Sequence, residues 1–249
     1  MLPDRLADQI GSVLRALVRS GHLPSTTRIP GEIRVERPFR NARGDYASPV
    51  ALRLPGASGS TPEEVARLVA AGLEECPETA GAGADGGFVN VVVTDAALAE
   101  TVREVVAAGP AYGEHPVILA PPEGELGHRA RFAHARLAGL LRAGVALDVP
   151  YAPDRLDAAV LADPSVRRLV CALAELPRVA ARENPRALHS YLSEILSWVE
   201  EFEVSVPVLP RGDEPSTPAH GTRLVLVDAA RIVLASVLAR YGLDAPDRL

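Results

Sequence analysis

The sequence predicts an α+β protein in which a small N-terminal α/β domain precedes an all-α helical bundle. Strand-like patterns, such as the apolar run FVNVVV at 88–93, lie mainly in the first part of the chain, whereas apolar residues after about residue 127 recur at helical spacing. A stretch rich in proline and glycine separates the two parts. We therefore expect an α/β domain at residues 1–112, a linker at 113–126 and a helical bundle at 127–249.

The N-terminal part contains three segments that are typical of helices. Residues 2–20 carry apolar side chains at helical spacing and predict an amphipathic helix. The sequence Thr-Pro-Glu-Glu at 61–64 predicts a second helix start, because Ser60 or Thr61 can cap the first turn and proline suits it. Asp95 is expected to cap a third helix that ends near Ala108.

The segments between these helices are expected to complete the α/β domain. Residues 32–38, EIRVERP, alternate in polarity as a strand does. Asp45 is expected to cap a short helix through Leu54. The Gly/Ala run at 81–87 predicts a flexible connection, since it does not have the spacing of a phosphate-binding loop and no helix follows it.

The C-terminal part predicts a bundle of helices at roughly 129–143, 154–162, 164–181, 185–203 and 222–241. Pro177 is expected to kink or end the third of these. Asp228 and Arg231 are three residues apart in the last and most apolar helix, a spacing that favours an ion pair over a functional site.

Composition excludes several classes of function. The chain has 249 residues, 47% of them hydrophobic, and its basic residues are all arginine. Acids exceed arginines both before and after residue 115, so any nucleic-acid contact has to come from local patches. Two distant cysteines, Cys76 and Cys171, match neither a disulfide framework nor a zinc motif. No leader or membrane-spanning run is recognisable, so a cytoplasmic location without membrane association is expected.

The stretch RARFAHARLAGLLRAG, residues 129–144, predicts a helix with two different faces. Leu137, Leu140 and Leu141 form an apolar arc, while Arg131 and Arg142, about three turns apart, share the opposite side with small residues. Four arginines, two histidines and no acid lie between residues 127 and 147. The small residues can serve close helix packing while the arginines reach solvent, or the cationic face can bind a polyanion.

Three segments resemble parts of class I arginyl-tRNA synthetases. FAHARLAGLLRAG (132–144) is similar to the YAHAR-type helix that opens the DALR anticodon-binding domain, and 224–249 resembles the closing helix of that domain. RPFRNARGDYASPVALRL (37–54) followed by GGFVNVVV (86–93) resembles the synthetase N-terminal additional domain. The resemblance implies two tRNA-binding ends joined without the ATP-binding catalytic domain that separates them in a synthetase.

The resemblance also implies where RNA would be contacted: the additional domain meets the D-loop corner of tRNA, and the DALR bundle meets the anticodon arm. Arginines that clamp phosphates and an aromatic ring that stacks on an unpaired base are the chemistry of such contacts. The candidate RNA-binding residues are Arg37, Arg40, Asn41, Arg43, Tyr46, Arg131, His134, Arg136 and Arg142. The sequence departs from the family at Glu200, Glu201 and Glu203, where an aromatic, histidine-bearing run is often found.

The residues predict no enzyme. A lysine-free chain cannot supply the lysines of a KMSKS-like loop, and Leu126-Gly127-His128 has only half of a HIGH-like motif. We therefore expect a noncatalytic paralogue that binds tRNA, with no catalytic residue, no cofactor, no metal and no DNA partner. The alternatives are a regulatory or scaffolding protein that acts through a protein partner or as a homodimer, and a partner in trans of a separate catalytic chain.

Overall fold

A computed structural model describes residues 2–38, 44–54, 59–114, 117–121 and 124–249. It divides into two compact units, Met1–Ala97 and Leu98–Leu249. The first unit contains a small three-stranded sheet with helices, and the second is helical, which confirms the predicted α+β class. The division falls at residue 97, upstream of the segment that the sequence predicts as the linker.

The first unit builds its core between an antiparallel sheet and amphipathic helices. Its elements are α1 (Leu2–Arg19), β1 (Tyr46–Ser48), a 3-10 turn (Val50–Arg53), α2 (Pro62–Leu73), β2 (Thr79–Asp85) and β3 (Phe88–Val93). The sheet order is β1-β3-β2. The expected start of α2 is confirmed, because Thr61 and Glu64 form a reciprocal capping box.

The Gly/Ala run is a strand, not the flexible connection that its composition predicts. Residues 79–85 form β2, which pairs antiparallel with β3, with Ala82 opposite Val91. Gly86 and Gly87 make the hairpin turn with φ angles of 54° and 86°, as a two-residue hairpin loop requires. Backbone hydrogen bonds to β3 stabilise this strand. Because its own side chains are mostly absent or small, the sequence of the run does not reveal that it is a strand.

Two capping expectations were wrong, and one strand is reduced to a single bridge. The Asp45 carboxylate accepts a hydrogen bond from the backbone N–H of Val93 at 2.9 Å, so it ties the chain to β3 instead of starting a helix. Thr94 caps α3, its hydroxyl accepting from the N–H of Ala97. In the segment 32–38, pairing is limited to a bridge between Glu36 and Ala47.

The helical bundle follows the predicted order closely. Its helices are α3 (Asp95–Ala108, whose first turn belongs to the preceding unit), α4 (Leu126–Ala146), α5 (Ala158–Leu161), α6 (Pro164–Leu173), α7 (Leu176–Ala181), α8 (Pro185–Ser205) and α9 (Pro218–Arg240). α9 is the most buried of these and packs against α4, α5, α6 and α8. Pro177 lies in the first turn of α7, after α6 has ended.

Small residues allow α4 and α9 to approach closely. A Cβ added at Gly144 would lie 2.3 Å from Cδ1 of Leu224, so that site admits only glycine without repacking. Gly139, by contrast, has only the end of the Arg142 side chain within 4 Å of such an atom, at 3.6 Å. The close packing that the sequence predicts for the small residues between Arg131 and Arg142 is therefore not found at Gly139, and the close approach to α9 occurs instead at Gly144.

Tyr112, which directly precedes the segment expected as a linker, and Leu119 within that segment both contact the helical bundle. The Tyr112 hydroxyl donates to the carbonyl of Leu173 at 3.2 Å, and the ring is 6% exposed. The N–H of Leu119 donates to the carbonyl of Arg240 at 2.8 Å. Among the described helices, none has the length and apolarity that crossing a membrane would take.

Candidate nucleic-acid interface

The candidate residues of the first unit are only partly placed. Arg40, Asn41 and Arg43 lie outside the described residues, and Arg37 is partly exposed. Tyr46 is fully buried, with 0% of its surface exposed, on β1 opposite Val91. Its expected role as a stacking platform is therefore wrong, because a base cannot reach a ring inside the core.

A groove on one side of α4 collects exposed basic and aromatic side chains. It has a volume of about 320 Å³ and is lined by Glu125, His128, Arg129, Phe132, Ala133, Arg136 and Glu200. Phe132 is 59% exposed, and the Arg136 guanidinium lies 5.9 Å from the centre of its ring. An exposed ring beside guanidinium groups is a combination that binds unstacked bases and phosphates.

Acids of α8 pair with the arginines around this groove. Arg129 donates to Glu200 at 3.2 Å, and Arg136 donates to both carboxylate oxygens of Glu203, at 2.8 Å through Nε. The third acid of the α8 row, Glu201, accepts from Arg168, whose guanidinium lies 5.5 Å from the Trp198 ring. Each of these three acids of α8 is therefore paired with an arginine, and two of them neutralise arginines of α4.

The other basic row of α4 is covered by the residues that follow α9, here called the return segment (residues 243–249). Arg131 Nη2 donates to the Asp244 carboxylate at 2.9 Å, and Arg142 Nη1 donates to the carbonyl of Asp247 at 3.0 Å. Between them, Nδ1 of His134 lies 2.9 Å from the carbonyl oxygen of Pro246. The predicted cationic face exists, and a segment of the same chain lies on it.

His134 is enclosed by this arrangement, with 1% of its surface exposed. Burial lowers its pKa, and the positive charge of Arg231 acts in the same direction, against the Pro246 carbonyl and the Asp247 carboxylate. Because a carbonyl oxygen only accepts, the 2.9 Å contact assigns the proton of the neutral ring to Nδ1. Nε2 is buried and has no hydrogen-bond partner in the described structure.

Asp228 and Arg231 form the expected ion pair, with a closest distance of 2.8 Å. The Tyr151 hydroxyl also donates to Asp228, at 2.6 Å. Burial and the carboxylate raise the Tyr151 pKa, so the phenol stays protonated as the donor. This cluster links the loop after α4 to the middle of α9 and has a structural role. Among the described residues, no group of three His, Cys, Asp or Glu side chains is arranged to hold a metal ion.

Phe132 lines the groove but is not among the candidate RNA-binding residues that the sequence predicts. The signal was present in the spacing. His128, Arg129, Phe132 and Arg136 follow one another at intervals of one, three and four residues, so they share one helix face.

Comparison with known proteins identifies two domains. Residues 4–93 match the arginyl tRNA synthetase N terminal domain, and residues 130–249 match the DALR anticodon binding domain. Arginine–tRNA ligases of Frankia alni and Kineococcus radiotolerans are each 40% identical, over 123 and 127 residues, which is 48% and 50% of this chain. That of Micrococcus luteus is 38% identical over 46% of the chain. The chain spans about a fifth of the length of these relatives (22%, 22% and 21%).

A solved structure, the Thermus thermophilus arginyl-tRNA synthetase, aligns with 88% of this chain and 46% of its own, at 19% identity and a TM-score of 0.39. By its family match, the helical unit contains a DALR anticodon binding domain at residues 130–249. The chain as a whole is an arginyl-tRNA synthetase-like protein that joins this domain to a synthetase N-terminal domain, with only residues 94–129 between the two matches.

Proposed function

We propose that this protein is a noncatalytic tRNA-binding module of the arginyl-tRNA synthetase type. The observation that carries the proposal is the pair of domain matches. They occur in one chain and are separated only by the 36 residues 94–129. In this proposal the N-terminal domain meets the D-loop corner of tRNA and the helical domain meets the anticodon arm. The protein works in the cytoplasm, where tRNA is charged and used.

The noncatalytic part of the proposal rests on the residues that amino-acid activation needs. Adenylate formation requires groups that hold the ATP phosphates and neutralise the charge of the transition state. The chain has no lysine for a KMSKS-like loop and no complete HIGH-like motif. Within the segment 94–129, α3 takes Asp95–Ala108 and α4 begins at Leu126, so little length is left for an ATP site.

The groove beside Phe132 is the favoured contact for RNA on the helical domain. Its arginines are exposed, with 47% of the Arg129 side chain and 38% of the Arg136 side chain accessible. Arg129 and Glu200 are both about half exposed, and an exposed ion pair contributes only about 0–1 kcal/mol, so a phosphate can replace Glu200 as the partner of Arg129. Glu203 is 15% exposed and accepts two hydrogen bonds from Arg136, so that pair is the firmer of the two. Phe132 offers an exposed ring on which a base can stack, which the buried ring of Tyr46 cannot do.

One observation favours the alternative of a protein partner. Arg129, Arg136 and Arg168 already face carboxylates of α8, and neither half of the chain has a net positive charge. A surface of alternating charge with exposed rings is also suited to a protein interface. In this alternative the chain keeps the synthetase-like fold and acts as a regulatory subunit, as a scaffold or in trans with a catalytic chain.

A mobility-shift titration with total tRNA at two salt concentrations tests the proposal. Binding that weakens with salt, with an affinity well above that for a random single-stranded RNA of equal length, is the expected result. Absence of any shift at low salt would contradict RNA binding. ATP–pyrophosphate exchange with each amino acid is expected to be silent, and robust exchange by the pure protein would contradict the noncatalytic assignment.

Native co-purification separates the alternatives from each other. A stoichiometric complex with a catalytic arginyl-tRNA synthetase chain, together with a change in its aminoacylation rate, would favour action in trans. A stable complex with a different protein, from a chain that fails to shift tRNA, would favour the regulatory role.

A further inference from the structure

The return segment is directed onto α4 by the way α9 ends. Gly242 has a φ of 65°, and the N–H of Leu243 donates to the carbonyl of Leu238 while that of Gly242 donates to Ala239, both at 2.9 Å. These two bonds form a Schellman motif, in which a glycine with positive φ turns the chain off the helix axis. The turn at Gly242 therefore directs the following residues towards α4.

The contacts along the segment occur in chain order. Asp244, Pro246 and Asp247 meet Arg131, His134 and Arg142 respectively. Arg131 and Arg142 are eleven residues apart, which is about 16 Å along a helix, and their long side chains converge on the short segment. The segment thus runs in the same direction as α4 and lies over both arginines.

These contacts pair basic side chains of α4 with oxygen acceptors, which a phosphate backbone also offers. All three acceptors are oxygen atoms, and one of them belongs to a carboxylate. The Asp247 carboxylate adds a second negative charge close to His134. Phosphate oxygens would accept from the same guanidinium groups with similar geometry. The return segment therefore occupies the donors that a nucleic-acid backbone would use.

We infer that the return segment is a competitive cover, so that it and a polyanion are alternative occupants of Arg131 and Arg142. Binding of RNA along this face requires the segment to leave. The inference rests on the proposed function insofar as tRNA is the polyanion that displaces the cover.

The covered state has features that allow it to open. The Asp244 side chain is 71% exposed, so its pair with Arg131 is a weak surface pair. Under the cover, Nε of Arg131 and Nε2 of His134 are buried without a hydrogen-bond partner in the described structure, which disfavours this arrangement relative to a fully satisfied one. The charged groups around His134 are Arg231 on α9 and Asp247 on the segment, and release of the segment would return the ring to water.

The test compares Asp244→Asn with Asp213→Asn. Both variants remove one negative charge from an exposed residue of the helical unit, but only Asp244 contacts α4, whereas Asp213 lies in the loop between α8 and α9. Binding is measured with two probes, total tRNA and heparin, across a salt series. We expect Asp244→Asn to bind both probes roughly two- to five-fold more tightly than Asp213→Asn. We also expect its salt dependence to be steeper by about 0.7–0.9, the slope of one additional phosphate contact.

A second readout follows the cover without RNA. The pKa of His134, measured by NMR on its ring protons, should rise towards its ordinary value in Asp244→Asn. It should rise in the parent protein when heparin is saturating, and stay as in the parent in Asp213→Asn.

The outcomes separate the cover from the proposed function. If the two variants bind both probes with equal affinity and the His134 pKa is unchanged, the cover is overturned. If the parent and both variants nevertheless bind tRNA, the proposed function stands. Tighter heparin binding by Asp244→Asn, with tRNA bound by none, supports the cover and overturns the proposed function. If neither probe binds any of the three proteins, both are overturned.

Discussion

The two basic rows of α4 show how one helix presents the same residue type in two different environments. On the groove side, Arg129 and Arg136 meet side-chain carboxylates of α8 around the exposed ring of Phe132. On the covered side, Arg131 and Arg142 meet the return segment, and His134 between them is buried. The comparison teaches that the accessibility of an arginine depends on which element supplies its acceptor. Helix α8 supplies carboxylates beside the groove and leaves the Phe132 ring exposed, whereas the return segment buries His134 while the Arg142 side chain stays exposed.

The largest expected effect on tRNA binding concerns the aromatic ring that only the groove side has. Phe132→Ala should weaken tRNA binding by about 1–3 kcal/mol, roughly five- to 150-fold, with little change in salt slope, because stacking releases no counterion. Since the ring is 59% exposed, the stability of the fold should hardly change. Filter-binding or mobility-shift titrations at several salt concentrations, with thermal unfolding as a control, measure both effects.

Tyr46→Ala is the matched contrast for that experiment. The ring is fully buried, so its removal should lower the free energy of unfolding by about 3–5 kcal/mol and leave a cavity in the sheet unit. A Tyr46→Ala protein that is as stable as the parent but has lost affinity would contradict the placement of this ring in the core.

The second prediction concerns the packing that holds both sides of α4 in place. Gly144→Ala should destabilise the protein by about 1–3 kcal/mol, because the new Cβ would meet the buried Leu224 side chain. Gly139→Ala, on the same helix, should instead stabilise it by about 0.5–1 kcal/mol, since the site is open and alanine favours the helix. Urea denaturation measures both, and equal signs for the two variants would contradict the close approach at Gly144.

The third prediction separates the two arginine rows by their contribution to RNA binding. Arg129→Gln with Arg136→Gln should weaken tRNA binding roughly ten-fold and reduce the salt slope by about 1.4–1.8, the loss of two phosphate contacts. Arg131→Gln with Arg142→Gln should cause a smaller loss, because those arginines are engaged by the return segment. Circular dichroism controls for folding. A larger loss from the covered row than from the groove row would reverse the comparison.

The smallest effect concerns pH and the buried histidine of the covered side. The pKa of His134 is lowered in the folded protein, so the unfolded chain binds a proton more readily. The free energy of unfolding should therefore fall as the pH drops below about 6.5, by at most about 1.4 kcal/mol per pH unit. His134→Gln removes this contribution, so its stability should depend less on pH than that of the parent. Parallel profiles from urea denaturation between about pH 8 and pH 5 would contradict the prediction.

Local patterns were sufficient for much of the fold. Periodic apolar spacing predicts α1 to within one residue at its end, and spacing predicts the Asp228–Arg231 pair. Capping chemistry narrows the start of α2 to Ser60 or Thr61, and the structure selects Thr61. These features succeed because all the interacting groups lie within one or two helical turns of each other. The class of the fold, a small sheet unit followed by a helical one, follows from the same periodicities.

The sequence by itself therefore determined most of the helices of this protein, the order of its sheet-containing and helical parts and the presence of a basic helix. Only the tertiary structure decided which side of that helix is open. The acceptors of Arg129 and Arg131 come from residues 71 and 113 positions away, and no spacing rule reaches so far. The same holds for β2, whose Gly/Ala run becomes a strand because β3 supplies its hydrogen bonds, and for Tyr46, which the sheet buries. Long-range neighbours, which the fold brings together, set the accessibility of these groups.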